Sequence, residues 1–213
     1  MNQKDWTFLL IVLLVVIVLY FLCRRRVVVD NDNGTETPYK LSDDTDSMTA
    51  ANMIKYLKTH VEQFMLHLKS IYPNDARVKT MCDRYMQKKT VIEESKEPET
   101  YTLNKGEKLV MCLRNYKKNK ELHDDINLVM FVCLHEMAHI MSLTNQHTPE
   151  FWSNFRFILT EAVKFGIYKA VDYKYDPRWY CAMLVYENPY FDEFTIDKHI
   201  NQINNILGIS VNE

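Results

Sequence analysis

Residues 126–143, INLVMFVCLHEMAHIMSL, are apolar around most of a helical circumference. A helix of that composition passes through the interior of a domain, so the other elements must be arranged around it. Asp124 or Asp125 stands where its N-cap is needed. Into this apolar helix are set His135, Glu136 and His139. Imidazoles and a carboxylate placed in a core carry a desolvation cost that requires a partner. Histidines at i and i+4 lie one turn apart on one face, so both can reach one zinc ion at ~2.0–2.1 Å. Glu136 points beside that face, where a carboxylate can take the proton of a zinc-bound water as it attacks a carbonyl.

A catalytic zinc takes a third protein ligand and keeps one position open. Two residues are candidates for it. His147 follows Thr144-Asn145-Gln146, where the helix should end, and Asn145 tolerates a left-handed cap that would return His147 to the metal. Glu161 lies inside the next helix, which Pro149 initiates and which should run to about Tyr168. Taken alone, His147 reads as a surface loop residue and Glu161 as part of a solvated helix face. Beyond them, the stretch VDYKYDPRWY holds Tyr173, Tyr175 and Tyr180, any of which could donate a hydrogen bond to a developing oxyanion. Asp172 could orient a ligand imidazole from behind. His60 and His67 fall on the flank of an earlier helix, and His123 and His199 read as surface residues.

The segment HEMAHIMSLTNQHTPEFW resembles the active-site stretch of the WLM and SprT/Spartan-like zinc metallopeptidases. These carry H-E-x-x-H, a third histidine a short loop later, and a Pro/Asp-x-x-Phe/Trp step into the next helix. His147-Thr148-Pro149-Glu150-Phe151 is close to the SprT-type H-G-P-E-F, with Thr148 in place of Gly. The resemblance favours His147 over Glu161. It implies one zinc ion held by His135, His139 and His147, Glu136 as general base, and hydrolysis of a protein or peptide substrate. It also implies an α+β fold: a few-stranded sheet packed on an active-site helix and a backing helix, as in small gluzincin-like peptidases. Similar stand-alone domains occur in large DNA viruses. The likeness covers about residues 100–190. The C-terminal zinc-ribbon, ubiquitin-family and partner-binding motifs of longer members have no counterpart here, so their digestion of DNA–protein crosslinks does not carry over. The metzincin pattern fails, since position 142 is Ser. The rival classes are a structural membrane or virion protein whose activity is incidental or lost, and a zinc hydrolase of non-peptide bonds. An intact Glu136 counts against loss.

The rest of the chain is read around this site. With 213 residues it holds one globular domain, and a net charge of −2 gives no expectation of a nucleic-acid partner. Met53, Ile54, Leu57, Val61, Phe64, Met65, Leu68 and Ile71 recur at helical intervals up to Pro73-Asn74. Asp75 can cap a second helix running to about Gln87. Extended stretches are expected at Thr90–Glu93, Thr100–Leu103, Leu109–Leu113 and Ala182–Tyr186, and a last helix near Ile196–Leu207. Residues 6–23 carry no charge and would make about 27 Å of helix, followed at once by Arg24, Arg25 and Arg26. That predicts a transmembrane helix at 6–23 lying in a lipid bilayer, a flexible linker at 24–50 and a catalytic domain at 51–213 on the cytoplasmic side. The five cysteines are odd in number and form no C-x-x-C pair, which predicts reduced, buried thiols rather than a disulfide framework.

Overall fold

Apolar spacing builds the first helix, α1 (Ser47–Ile71), which buries Ile54, Leu57, Val61, Phe64 and Leu68 along one stripe. The computed structural model describes residues 47–191, together with Leu13 and the pairs 27–28 and 39–40. Within the expected linker, β1 (Val27–Val28) pairs antiparallel with β2 (Tyr39–Lys40), and α1 already begins at Ser47. After the Pro73 turn, Asp75 caps α2 (Ala76–Gln87). Its carboxylate accepts the N–H groups of Arg77 at 2.8 Å and Val78 at 3.4 Å.

Three short strands follow: β3 (Val91–Glu94), β4 (Tyr101–Leu103) and β5 (Lys108–Met111). Their order is β3-β5-β4, with β5 parallel to β3 and antiparallel to β4, so β4 is an edge strand. Asn104, Lys105 and Gly106, all at positive φ, turn the chain from β4 into β5. Next, β6 (Arg114–Asn115) pairs with β7 (Glu121–Leu122). Arg114 Nε reaches Glu94 Oε1 at 2.8 Å with both side chains buried, which binds this ribbon to the end of β3. Removing either partner would strand a buried charge, at a cost of ~3–5 kcal/mol.

Two helices complete the core. Asp125 caps α3 (Ile126–Met141), whose residues Leu128 to Leu134 are buried without a break. Thr148 caps α4 (Pro149–Phe165), and Gly166 ends it in the left-handed conformation at φ 90°. Both α2 and α4 pack on α3. A hairpin of β8 (Arg178–Tyr180) and β9 (Met183–Val185) closes the far side, with Cys181 at φ 54° in its turn. Among the described residues the chain is thus a mixed α+β structure of four helices and small sheets, with α3 at its centre.

Several expectations are corrected. Cys112 and Cys181 form a disulfide, while Cys82 and Cys133 are free and buried. Odd cysteine number and spacing could not reveal a bond between residues so far apart in sequence. His123 is buried rather than on the surface, and its ring Nε2 accepts the backbone N–H of Cys181 at 3.1 Å. The short β6–β7 ribbon and β8 carry too little alternation to be read from the sequence. The expectation of a single-pass membrane protein is not sustained: no helix among the described residues is long and apolar enough to cross a membrane. Residues 6–23, on which that expectation stood, lie outside the described residues except for Leu13, as do the expected helix at 196–207 and His199.

Candidate metal centre

The buried helix α3 sets the site by presenting His135 and His139 from its last two turns. It ends not at a left-handed Asn145 but at Ser142, which is extended (φ −78°, ψ 153°). The Ser142 hydroxyl donates to the Ala138 carbonyl at 2.8 Å and accepts from Asn154 Nδ2 at 2.9 Å. Two cations gather the remaining carbonyls at this negative helix end. Arg84 Nη1 donates to the carbonyls of Ile140 at 2.6 Å and Ser142 at 2.7 Å. Lys105 Nζ donates to those of His139 at 3.1 Å, Ser142 at 3.0 Å and Thr144. The Leu143 N–H is taken by Glu150 Oε1 at 2.9 Å. Held at both ends, the 142–148 loop brings His147 back over α3.

The consequence is a convergence of three rings. His147 Nε2 lies 3.1 Å from His139 Nε2 and 3.1 Å from His135 Nε2. Potential ligand atoms of all three residues fall within 4.8 Å of one another. Phe151 forms a common floor, with ring centroids 4.9, 4.4 and 4.5 Å from His135, His139 and His147. Beside this cluster Glu136 is 4 % exposed. Its Oε2 accepts the hydroxyl of Thr102, from edge strand β4, at 2.8 Å. A cleft of about 660 Å³ opens over the group between β4 and β9, lined by Tyr101, Thr102, Met183, Leu184 and Tyr186 among others. That is the size of a ligand pocket rather than a packing defect.

No family model matches the chain. It is 39 % identical over 89 residues to an uncharacterized protein of Acanthamoeba polyphaga mimivirus, covering 42 % of this chain and 44 % of that one. It is 32 % identical over 71 residues to an uncharacterized protein of Invertebrate iridescent virus 6, covering 33 % and 39 %. A further match, in Invertebrate iridescent virus 3, is 36 % identical over 73 residues and covers 34 % and 43 %. The chain therefore spans less than half the length of the curated relatives it matches. Among solved structures, a Wss1 mutant from S. pombe is similar over 57 % of this chain and 92 % of that one, at 18 % identity and a TM-score of 0.40. A likeness at that level decides neither fold nor activity.

The chemistry of the site therefore rests on its own residues. Burial, reinforced by the neighbouring imidazoles, lowers the His135 pKa to about 3, and burial with His147 and Lys105 lowers that of His139 to about 4. Both rings are thus neutral at physiological pH, the form that offers a lone pair to a metal. A tetrahedral ion at ~2.0–2.1 Å from each nitrogen keeps its ligand atoms ~3.3–3.4 Å apart. The observed 3.1 Å separations are close to that spacing, and the all-nitrogen donor set suits zinc better than magnesium or calcium. Burial raises the Glu136 pKa to about 7, against the lowering effect of its bond from Thr102. A carboxyl group poised near neutrality can hold or release a proton at little cost.

Other residues singled out in the sequence lie elsewhere. Glu161 is not part of the histidine cluster; it is buried and pairs with Lys164 Nζ at 2.7 Å. Tyr173 is buried against Phe131, and the Tyr180 hydroxyl donates to the Cys112 carbonyl at 2.7 Å. Tyr175 is 83 % exposed, and none of these three tyrosines lines the cleft. Asp172 accepts the Lys174 N–H in a turn. His60 bonds the Tyr56 carbonyl through Nδ1, and His67 stacks on Phe165. Sequence reasoning did not single out Thr102, Lys105 and Tyr186, which do line the cleft. No motif marks them, because each reaches the site from an element remote in sequence.

Proposed function

We propose that this chain is a zinc-dependent metallopeptidase of the WLM and SprT type, with a gluzincin-like catalytic domain assigned to residues 51–213. The observation that carries the reading is the convergence of three imidazole nitrogens beside one buried carboxylate, at the base of an open cleft. His135, His139 and His147 would hold one zinc ion. Zinc, when bound, supplies Lewis acidity that polarises a carbonyl and makes water a stronger acid. Glu136 is the general base: it accepts the proton of the attacking water and later delivers it to the leaving amine. The cleft between β4 and β9 admits the chain of a protein or peptide substrate, with the side chains of Met183 and Leu184 on its wall. Nucleic acid is not among the proposed partners.

The test uses the purified chain, zinc analysis and labelled denatured casein with and without chelator. Wild type should hold about one zinc per chain, because a three-imidazole site binds that ion strongly. Its casein hydrolysis should disappear when the ion is removed. Glu136→Gln should retain the metal and lose at least ~10²-fold in activity. His135→Ala should lose the metal itself. A Glu136→Gln variant as active as wild type, or a metal-free wild type, would end the proposal.

A further inference from the structure

We propose that Thr102 is a positioning residue, whose hydroxyl holds Glu136 in the orientation needed for proton transfer. The inference rests on the peptidase reading above. Glu136 projects from α3 and could rotate about its own side-chain bonds, since the carboxylate of a Glu lies beyond three rotatable torsions. A general base works only when one oxygen is aimed within hydrogen-bond reach of the proton it takes. In this fold the alignment comes from outside the helix. Thr102 Oγ1 donates to Glu136 Oε2 at 2.8 Å and lies 3.4 Å from the Glu136 backbone carbonyl. With Oε2 engaged, Oε1 is the oxygen assigned to the reacting water.

Thr102 is well suited to this. It is the middle residue of β4, and strand alternation turns it toward α3 while Tyr101 and Leu103 are exposed. A β-branched side chain has few accessible χ1 wells in a strand, so its hydroxyl is held in place by the backbone. The strand is fixed in turn: Thr102 is in register with Leu109 of β5, and Leu109 is fully buried. The same strand lines the cleft, so the residue that aims the base sits on the wall along which substrate would lie. Binding and alignment of the base are thereby joined in one short element.

The test compares Thr102→Val, which keeps the shape and removes the hydroxyl, with Thr102→Ser, which keeps the hydroxyl. Both are made in the full chain beside Glu136→Gln, and kcat and KM are measured on labelled denatured casein. Thr102→Val should retain its zinc and leave KM within ~2-fold while kcat falls ~10-fold or more, the pattern of an interaction needed in the transition state. Thr102→Ser should recover most of that loss. An infrared readout needs no turnover. The carboxyl band that disappears in Glu136→Gln should shift in Thr102→Val and stay in place in Thr102→Ser. If Thr102→Val kept wild-type kcat and an unshifted band while Glu136→Gln was inactive, the positioning role would be overturned and the peptidase reading would stand. If Glu136→Gln were itself fully active, both would fall. Should Thr102→Val fail to fold, the inference fails if Thr102→Ala, assayed in its place, matches wild type in kcat and band position.

Discussion

Reducing the Cys112–Cys181 bond should destabilise the domain by about 4 kcal/mol. The bond closes a sequence separation of 69 residues. In the chain-entropy treatment, a loop of that length removes ~15 cal/mol/K from the unfolded ensemble, or ~4 kcal/mol at 25 °C. For a domain of this size each kcal/mol corresponds to ~2–4 °C, so Tm should fall by ~8–16 °C. The location adds a local consequence. Cys112 follows β5 directly, and Cys181 lies in the turn of the β8–β9 hairpin that walls the cleft. The Tyr180 hydroxyl also bonds the Cys112 carbonyl and lies 2.8 Å from Thr100 Oγ1, so one network ties hairpin to sheet. The assay is urea and thermal unfolding followed by circular dichroism, with and without reductant. Wild type should respond to reductant by this amount, whereas Cys112→Ala/Cys181→Ala should not respond. A non-reduced digest should contain the peptide that links the two cysteines. If wild type unfolds at the same midpoint in both conditions and no linked peptide is found, the bond is absent and the reasoning is refuted.

Two further outcomes follow from the site's polar groups. Arg84→Met keeps the aliphatic stem but removes the donor to the Ile140 and Ser142 carbonyls; the group is half-buried, so the loss should be about 2 kcal/mol in unfolding free energy. Zinc affinity should fall with it, since the loop carrying His147 loosens, and an unchanged melting curve and zinc titration would refute this. The chelator-treated chain should also show a pH-dependent stability with a definite sign. His135 and His139 titrate in the fold at about 3 and about 4 against an ordinary value of 6.5, so their stability is present above pH 6.5 and is lost as pH falls toward 3. Glu136, raised from 4.5 to about 7, acts oppositely and favours the fold at low pH within that interval. His123, also lowered by burial, acts with the two site histidines, so unfolding takes up protons net between pH 4.5 and 6.5, and stability should rise with pH there. A flat or falling profile in urea midpoints would contradict it.

The long elements were legible because each carries its own signal. In α1 the apolar residues repeat every three or four positions; α2 opens on an Asp75 cap, and α4 on Pro149. For α3 the signal was the lack of a polar face, which demanded burial and set its neighbours around it. Strands β3, β4 and β5 were placed within a residue or two, since they are short runs between turn residues. Their order was not legible. A parallel β3–β5 pair with β4 on the edge depends on tertiary packing, and three- or four-residue strands hold no pattern that would specify it. The Cys112–Cys181 bond was hidden for the same reason: pairing depends on which turns the fold brings together, whereas counting cysteines uses only their number.

The site divides along the same line. The clustering of His135 and His139 was legible because helical geometry converts a spacing of four into a shared face, and no knowledge of the fold was needed. His147 required a loop reversal, and the left-handed Asn145 proposed for it was the wrong device. The reversal instead comes from an extended Ser142, with Arg84 and Lys105 gathering the carbonyls around it. Both cations lie far from α3 in sequence, so no local window could have shown them. Thr102 is the sharper case: a threonine in a strand is unremarkable until α3 is laid against its hydroxyl. A histidine pair can be written into five consecutive letters, but the groups that orient the pair come from whatever the fold places opposite. For that reason, substitutions at Thr102, Arg84 and Lys105 probe the assembled fold, whereas substitutions at His135 and His139 probe only the motif.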